Sequence, residues 1–418
     1  KIKGRATLTV AMMFRAIAFV LITPSAGLRP HTPASDPSFR YIGRFDHVES
    51  GLRFDHAGCE IQFCVHGVTK VTGLFSQRLT KPYSVVERKS SDNPVGSQAD
   101  EFLVYVDGKP QPKAQAGYQY CSFHTVGIQN ETATEMVIAA EVSLDAHEIR
   151  IVKTTEPEWN DREPSPNWIT FHGLTLDAAN VREPRTPRRQ RRLEFIGDSI
   201  TAGFCKGPGP FDPTGTNKSD LSTGDAVEES AESFALSWPH RTCERLNAEC
   251  STLAWSGLGL IRNCCGGNTT VPELWSRTVA TDESSRWRFA SWIPAALVVN
   301  LGTNDGSAGE TSAFVAAYQE LMHRAISVYG PGLHVFLACG PMRTGYCDSV
   351  RQTLGNASAS GLRAHFLDHR DFLNGTFGPS CCGHPGAQVD AAMASFSADV
   401  IARALGWSVS GVGMALWT

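Results

Sequence analysis

The chain has 418 residues, with 38 Lys+Arg against 42 Asp+Glu, a formal net charge of −4, and 42% hydrophobic and 19% charged residues. That balance excludes a disordered chain, and it excludes a nucleic-acid binder at the level of the whole chain. The length predicts two domains, each able to bury a core.

Residues 1–27 read as a signal peptide. Lys1, Lys3, Arg5 and Arg15 are basic, residues 16–22 form a short apolar run, and Ser25, Ala26 and Gly27 supply small residues for cleavage. The run falls well short of the roughly 20 residues that a membrane-spanning helix needs. The expectation is a secreted chain with no membrane association after processing; Met12 or Met13 could be the true start. Residues 28–40 are Pro- and Ser-rich and read as a lead-in. The cysteines agree with secretion. There are 12, three before residue 181 and nine after, so either one bridge crosses the halves or each half keeps a free thiol. The adjacent pairs Cys264-Cys265 and Cys381-Cys382 lack the C-x₂-C spacing of a zinc site. No metal or cofactor is expected. Asn130, Asn217, Asn268, Asn356 and Asn374 lie in Asn-x-Ser/Thr sequons and would mark surface loops.

From Tyr41 the texture is that of short strands. Residues 59–66 alternate, with Ile61, Phe63 and Val65 on one face; Phe102–Val106 precedes the Asp107-Gly108 turn; Glu148–Lys153 alternates again. Residues 41–180 are therefore expected to form an antiparallel β-sandwich, serving as a sugar-binding module or as a structural cover. Residues 181–192, VREPRTPRRQRR, read as a basic linker, with a solvated link favoured over a processing site or a nucleic-acid patch.

After Arg192 the pattern alternates between strand and helix. Strands are expected at 193–197, 251–257, 296–301 and 333–338. Helices are expected around 237–248, at 312–329 and from Val389 to Leu405. Residues 206–230 form a polar insertion, and 408–418 a tail. This is a three-layer α/β domain, 193–407, with a mostly parallel sheet. Its organising stretch is LEFIGDSITAG, 193–203, in which a strand breaks at Gly197 and turns into a helix start. A serine at such a turn sits at the carboxyl edge of the sheet, where open α/β sheets bind ligands. Its hydroxyl faces the pocket and its N–H lies at a helix start that favours negative charge. Ser199 is the candidate nucleophile, although GDS alone could equally be a capped turn.

Ester hydrolysis needs a nucleophile, a base and oxyanion donors. Three further punctuation points follow strand ends: Ser256-Gly257, Gly302-Thr-Asn304-Asp, and His384-Pro. His384 titrates in the range a base requires. The N–H groups of Ser199 and Gly257 and the amide of Asn304 are candidate oxyanion donors. Tyr346 is a candidate sugar-stacking ring or, equally, loop packing.

The blocks FIGDSITAG, WSGLG, NLGTND and GHP, in this order, resemble the SGNH (GDSL-type) hydrolase superfamily. With YIGRFD (41–46), HEIRIVKTTE (147–156), VPELWSRT (271–278), WIPAALVVNLGTND (292–305) and GHPGAQ (383–388), the resemblance narrows to the family 2 carbohydrate esterases over roughly residues 41–407. It implies a jelly-roll ahead of a flavodoxin-like SGNH domain and removal of O-acetyl groups from polysaccharides such as xylan and glucomannan. It also implies Ser199 as nucleophile, His384 as base, and Gly257 and Asn304 as oxyanion donors. The partner expected is an acetylated polysaccharide or oligosaccharide, and the chain is expected to act as a monomer. One departure stands out. The family's Asp two or three residues before the histidine is replaced by Cys382 and Cys381, which leaves a Ser–His dyad held by a backbone carbonyl, or Asp368 or Asp371 as a substitute in space. The alternatives are a carbohydrate-binding protein with a degenerate esterase domain, a lipid or aryl esterase, and an acetyltransferase that excludes water.

Overall fold

The computed structural model describes residues 31–79, 100–112, 122–125, 128, 131–157, 166–206, 232–264, 266–306, 311–359, 361–374, 378–380 and 383–410. The signal-peptide reading, most of the 206–230 insertion, Cys121, Cys381, Cys382 and most of the tail lie outside them.

The first half is antiparallel. Its main strands are β1 (Arg40–Ile42), β2 (Asp46–Val48), β3 (Gly51–Phe54), β4 (Glu60–Val65), β5 (Lys70–Arg78), β6 (Glu101–Val106), β7 (Thr134–Ala140), β8 (His147–Lys153) and β9 (Trp168–Leu174). One sheet runs β7-β5-β9-β3-β2; the other has β4, β8 and β6 side by side, with β1 also on β4. The two share one core, in which Phe54, Phe75 and Phe171 of the first meet Phe63 and Phe102 of the second. The alternation that suggested strands is real on that inner face. The outer face of β6 and β8 is buried as well: Leu103, Tyr105 and Val152 pack on Phe234 and Ala235 of the second half.

The second half is a five-stranded parallel sheet. In chain order its strands are β10 (Arg191–Gly197), β11 (Ala248–Ala254), β12 (Ala296–Asn300), β13 (His334–Cys339) and β14 (Arg363–Asp368). In space they lie β11-β10-β12-β13-β14. Its helices are α1 (Ser199–Ala202), α2 (Trp238–Leu246), α3 (Val271–Leu274), α4 (Thr311–Tyr329), α5 (Cys347–Ala359) and α6 (Ala387–Leu405). The order 2-1-3-4-5 is that of flavodoxin-like sheets, whose ligand crevice opens between the first and third strands at their carboxyl ends. One face packs on α4 and α5 through Phe314, Tyr318, Leu321 and Val350. The other packs on α2 and α6 through Trp238, Leu246, Met393 and Ile401. This gives the three layers expected.

The halves meet along a seam of buried charge. Arg44 donates to the carbonyls of Trp275 at 2.8 Å and Arg277 at 2.6 Å, and pairs with Glu194 at 2.8 Å. Asp55 accepts from the N–H groups of Ala280 at 3.0 Å and Thr281 at 2.9 Å. Arg150 pairs with Glu244 at 3.0 Å. Beside the seam, within the first half, Lys153 pairs with Asp100.

Residues 182–190 are mostly exposed, as a solvated link would be, while the arginines at the end of the linker reach the second half. Arg189 donates to Ala248 O at 2.9 Å and pairs with Glu244, Arg191 donates to Leu246 O at 2.7 Å, and Arg192 pairs with Glu249 at 3.3 Å. The guanidinium groups satisfy carbonyls and carboxylates at the edge of the second half, and Arg191 already begins β10. Among the described residues the first half keeps free thiols. Cys243–Cys250 and Cys339–Cys347 are disulfides, whereas Cys59 and Cys64 are buried free thiols. Asn268, Asn356 and Asn374 are exposed, although Asn356 lies within α5 and not in a loop.

Candidate active site

Three candidate residues follow three adjacent parallel strands. β10 delivers Ser199, β11 delivers Gly257 and β12 delivers Asn304, so all converge on the crevice at the switch point. The turn after β10 is tight. A Cβ at Gly197 would stand 2.1 Å from Thr201 Oγ1, so only glycine lets α1 fold back on the strand. Asp198 caps α1, its carboxylate accepting from Ile200 N–H at 3.0 Å. Burial raises the Asp198 carboxyl to about 7, against the opposing Ile200 bond, and Asp305 and Glu156 add repulsion.

His384 comes from the segment between β14 and α6. Its Nε2 lies 2.8 Å from Ser199 Oγ, and both residues are more than nine-tenths buried. The two are 185 positions apart in sequence, and the fold brings them into a direct hydrogen bond. Several contacts hold the histidine segment. The Phe204 ring meets the imidazole edge-on at 4.9 Å, and Ser380 N–H donates to His384 O at 2.7 Å. Lys206, fully buried, donates to Pro385 O and pairs with Asp390 of α6 at 2.7 Å.

The loop after β11 is fixed by its neighbours. Gly257 adopts φ 75°, a left-handed conformation that glycine enters at no steric cost. Asn304 donates from Nδ2 to Leu258 O at 2.8 Å. That bond leaves the amide its second N–H. Asp305 accepts from Leu260, Ile261 and Arg262 at 3.1, 2.7 and 3.3 Å, which binds the next turn of the loop.

Two sequence candidates stand elsewhere. Tyr346 is 3% exposed, stacks on Phe314 with centroids 4.2 Å apart, and donates to Asp305 O at 2.9 Å. Its ring belongs to the core, and its hydroxyl bonds the residue after Asn304. Asp368 gives its carboxylate to Arg351 at 2.8 Å and Arg370 at 2.7 Å, and the Arg370 bonds hold it down at about 2. Among the described residues no group of three or more His, Cys, Asp or Glu is arranged to hold a metal, and no helix is long and apolar enough to cross a membrane.

No family model matches the chain. It is 27% identical over 388 residues to the cellulase/esterase CelE of Acetivibrio thermocellus, covering 90% of this chain and 41% of that protein. It is 22% identical over 367 residues to an acetylxylan esterase / glucomannan deacetylase of Cellvibrio japonicus, covering 86% of this chain and 84% of that one. Its fold matches a family two carbohydrate esterase from Clostridium thermocellum, solved with cellohexaose, at a TM-score of 0.69 and 24% identity over 88% of this chain and 99% of that chain. The chain resembles the family 2 carbohydrate esterases. The resemblance runs through both halves, although the chain spans about two fifths of CelE, the first of these relatives. Like the family 2 esterase from Clostridium thermocellum, an acetyl xylan esterase from Butyrivibrio proteoclasticus shares the fold, at a TM-score of 0.67 and 16% identity over 90% of this chain and 99% of that one.

Proposed function

We propose that the chain is a secreted serine esterase that removes O-acetyl groups from acetylated polysaccharide of the xylan or glucomannan kind. The observation that carries the reading is the 2.8 Å contact between His384 Nε2 and Ser199 Oγ at the switch point of the sheet. A serine hydroxyl is inert as a nucleophile without an adjacent base, and this contact supplies one. The names of the relatives support the ester and the polysaccharide.

Ser199 Oγ attacks the acetyl carbonyl carbon as its proton passes to His384 Nε2. The oxygen of the tetrahedral intermediate is received by the N–H groups of Ser199 and Gly257 and by Asn304 Nδ2. His384 protonates the departing sugar hydroxyl, leaving an acetyl group on Ser199. Water, deprotonated by the same imidazole, then attacks the acetyl carbon; the bond to Ser199 Oγ breaks, the proton returns to Oγ, and acetate leaves. In this reading Ser199 and His384 work as a dyad, and the β half, 41–180, is a jelly-roll that stands against the hydrolase half, 193–407.

The test is acetate release from an aryl acetate and from acetylated xylan, by wild type and Ser199→Ala. Loss of activity by about 10⁴-fold or more in the variant is expected. Wild-type protein that releases no acetate yet retains a sugar ligand would leave a binding protein in place of an enzyme.

A further inference from the structure

The β half ends its core strand β8 beside the candidate oxyanion loop. Past Lys153, residues 154–156 lie against the second half. Phe234 N–H donates to Thr154 O at 2.8 Å, and Glu156 N–H donates to Glu232 Oε1 at 2.7 Å. The Glu156 side chain then turns toward β11, where its Oε2 accepts from Ser256 N–H at 2.6 Å. Ser256 directly precedes Gly257, so this bond fixes one end of the peptide whose neighbour is the candidate oxyanion donor. The loop is gripped from its other side by Asp305, through Leu260, Ile261 and Arg262. Two carboxylates, one from each half of the molecule, thus bracket Gly257.

The Glu156 backbone is equally constrained. Its carbonyl accepts from Lys153 Nζ at 3.1 Å, and the residue is 6% exposed. Its charge is also felt at Asp198, next to the nucleophile. Burial raises its own carboxyl above the usual carboxylate range, while the bonds from Ser256 oppose the shift.

We propose that Glu156 is a positioning residue of the esterase, holding the Ser256–Gly257 peptide so that the Gly257 N–H faces the developing oxyanion. The inference rests on the functional reading above. It makes the β half part of the catalytic apparatus, through the last residue of the HEIRIVKTTE block. An oxyanion donor displaced by a fraction of an ångström stabilises the transition state less while leaving ground-state binding almost unchanged.

The experiment uses the full chain and compares wild type with Glu156→Ala, Glu156→Gln and Asp55→Asn. Each variant is assayed on an aryl acetate and on acetylated xylan at a temperature where circular dichroism reports a folded protein. Asp55→Asn weakens the same seam at Ala280 and Thr281 and serves as the structural control. The expected result is a fall in kcat of about 100-fold for Ala, with KM within about twofold. Gln keeps an acceptor oxygen but no charge, and is expected to recover part of the loss, to about tenfold below wild type. Asp55→Asn is expected to lower the melting temperature and leave kcat unchanged. Unchanged kcat in a folded Glu156→Ala would overturn the proposal. If Ala does not fold, Gln decides, and wild-type kcat in that variant would overturn it. Equal losses of kcat in Asp55→Asn and the Glu156 variants would reduce Glu156 to seam packing. An inactive wild type would instead overturn the functional reading itself.

Discussion

Inside the sandwich, Phe75 and Phe171 meet at 5.1 Å and Phe102 stacks on Phe123 at 4.7 Å. Along the seam, Arg44, Glu194 and Asp55 are just as thoroughly buried. The two regions exclude water equally and are held by opposite physics. Ring packing in the sandwich is non-directional and tolerates small changes of shape. A buried ion pair gives up hydration that its Coulomb attraction recovers only with good geometry, and removing one partner strands the other. The seam therefore contributes less net stability than its bonds suggest. What it adds is orientation, one fixed way for the halves to meet.

The sharpest way to break that comparison is Arg44→Met. It leaves Glu194 buried beside Trp275 and Tyr329 without its cation, and strands the carbonyls of Trp275 and Arg277. A loss of about 3–5 kcal/mol is expected in denaturant titration, partly recovered in the double variant Arg44→Met, Glu194→Leu. A loss below about 1 kcal/mol in the single variant would show that the seam is not held by charge.

Glu101 sharpens the comparison at the seam's other end. Burial, with Asp100 nearby, raises its carboxyl to about 8. A folded-state pKa above the unfolded value means that the native state holds the proton more tightly. This contribution to stability is fully present below the unfolded value of about 4.3 and is lost as pH rises toward about 8. The wild-type melting temperature is expected to fall by several degrees between pH 5 and pH 8.5. Glu101→Gln should flatten that slope, and a slope unchanged in the variant would assign it to other groups.

The smallest effect is expected in the sandwich. Ile149→Val removes one methylene from a fully buried site and should cost about 0.5–1.5 kcal/mol with acetate release unchanged. A larger loss, or a loss of activity, would mean that the sandwich core is as exacting as the seam.

The same division explains what could be read in the sequence. The nucleophile turn was legible because its signals are local: an apolar strand, a glycine break, a small capping residue. The strands and helices of the second half fall within a few residues of where periodicity puts them. β14, RAHFLD, escaped notice because it is an edge strand, with only Leu367 buried and no clean alternation. α5 escaped because its buried face is built from Ser349, Thr353 and Ala357 as much as from Val350. Arg44, Asp55, Lys153 and Glu156 were invisible for a different reason. Charged residues at the ends of short strands and in the turns between them read as solvated, and the partners that bury Arg44 lie 150 positions away at Glu194 and 231 away at Trp275. Glu148–Lys153 alternates like a strand with one wet face, yet Val152 is buried because the second half covers that face, and Lys153, on the opposite face, is buried against Asp100 and Thr155 of the first half. Tyr346 was ambiguous between a sugar platform and packing, and its ring lies in the core against Phe314.

The bond from Glu156 to Ser256 bears on how such a molecule can be inherited. A chain duplicated, fused or cut between its two halves would lose the carboxylate that holds the N–H next to Gly257. Recombination that separates the halves would yield a parallel-sheet fragment with a loosened loop and a sandwich that leaves Leu103, Tyr105 and Val152 uncovered. The unit open to shuffling is the pair, and lineages that keep the chemistry are expected to pass both halves on together.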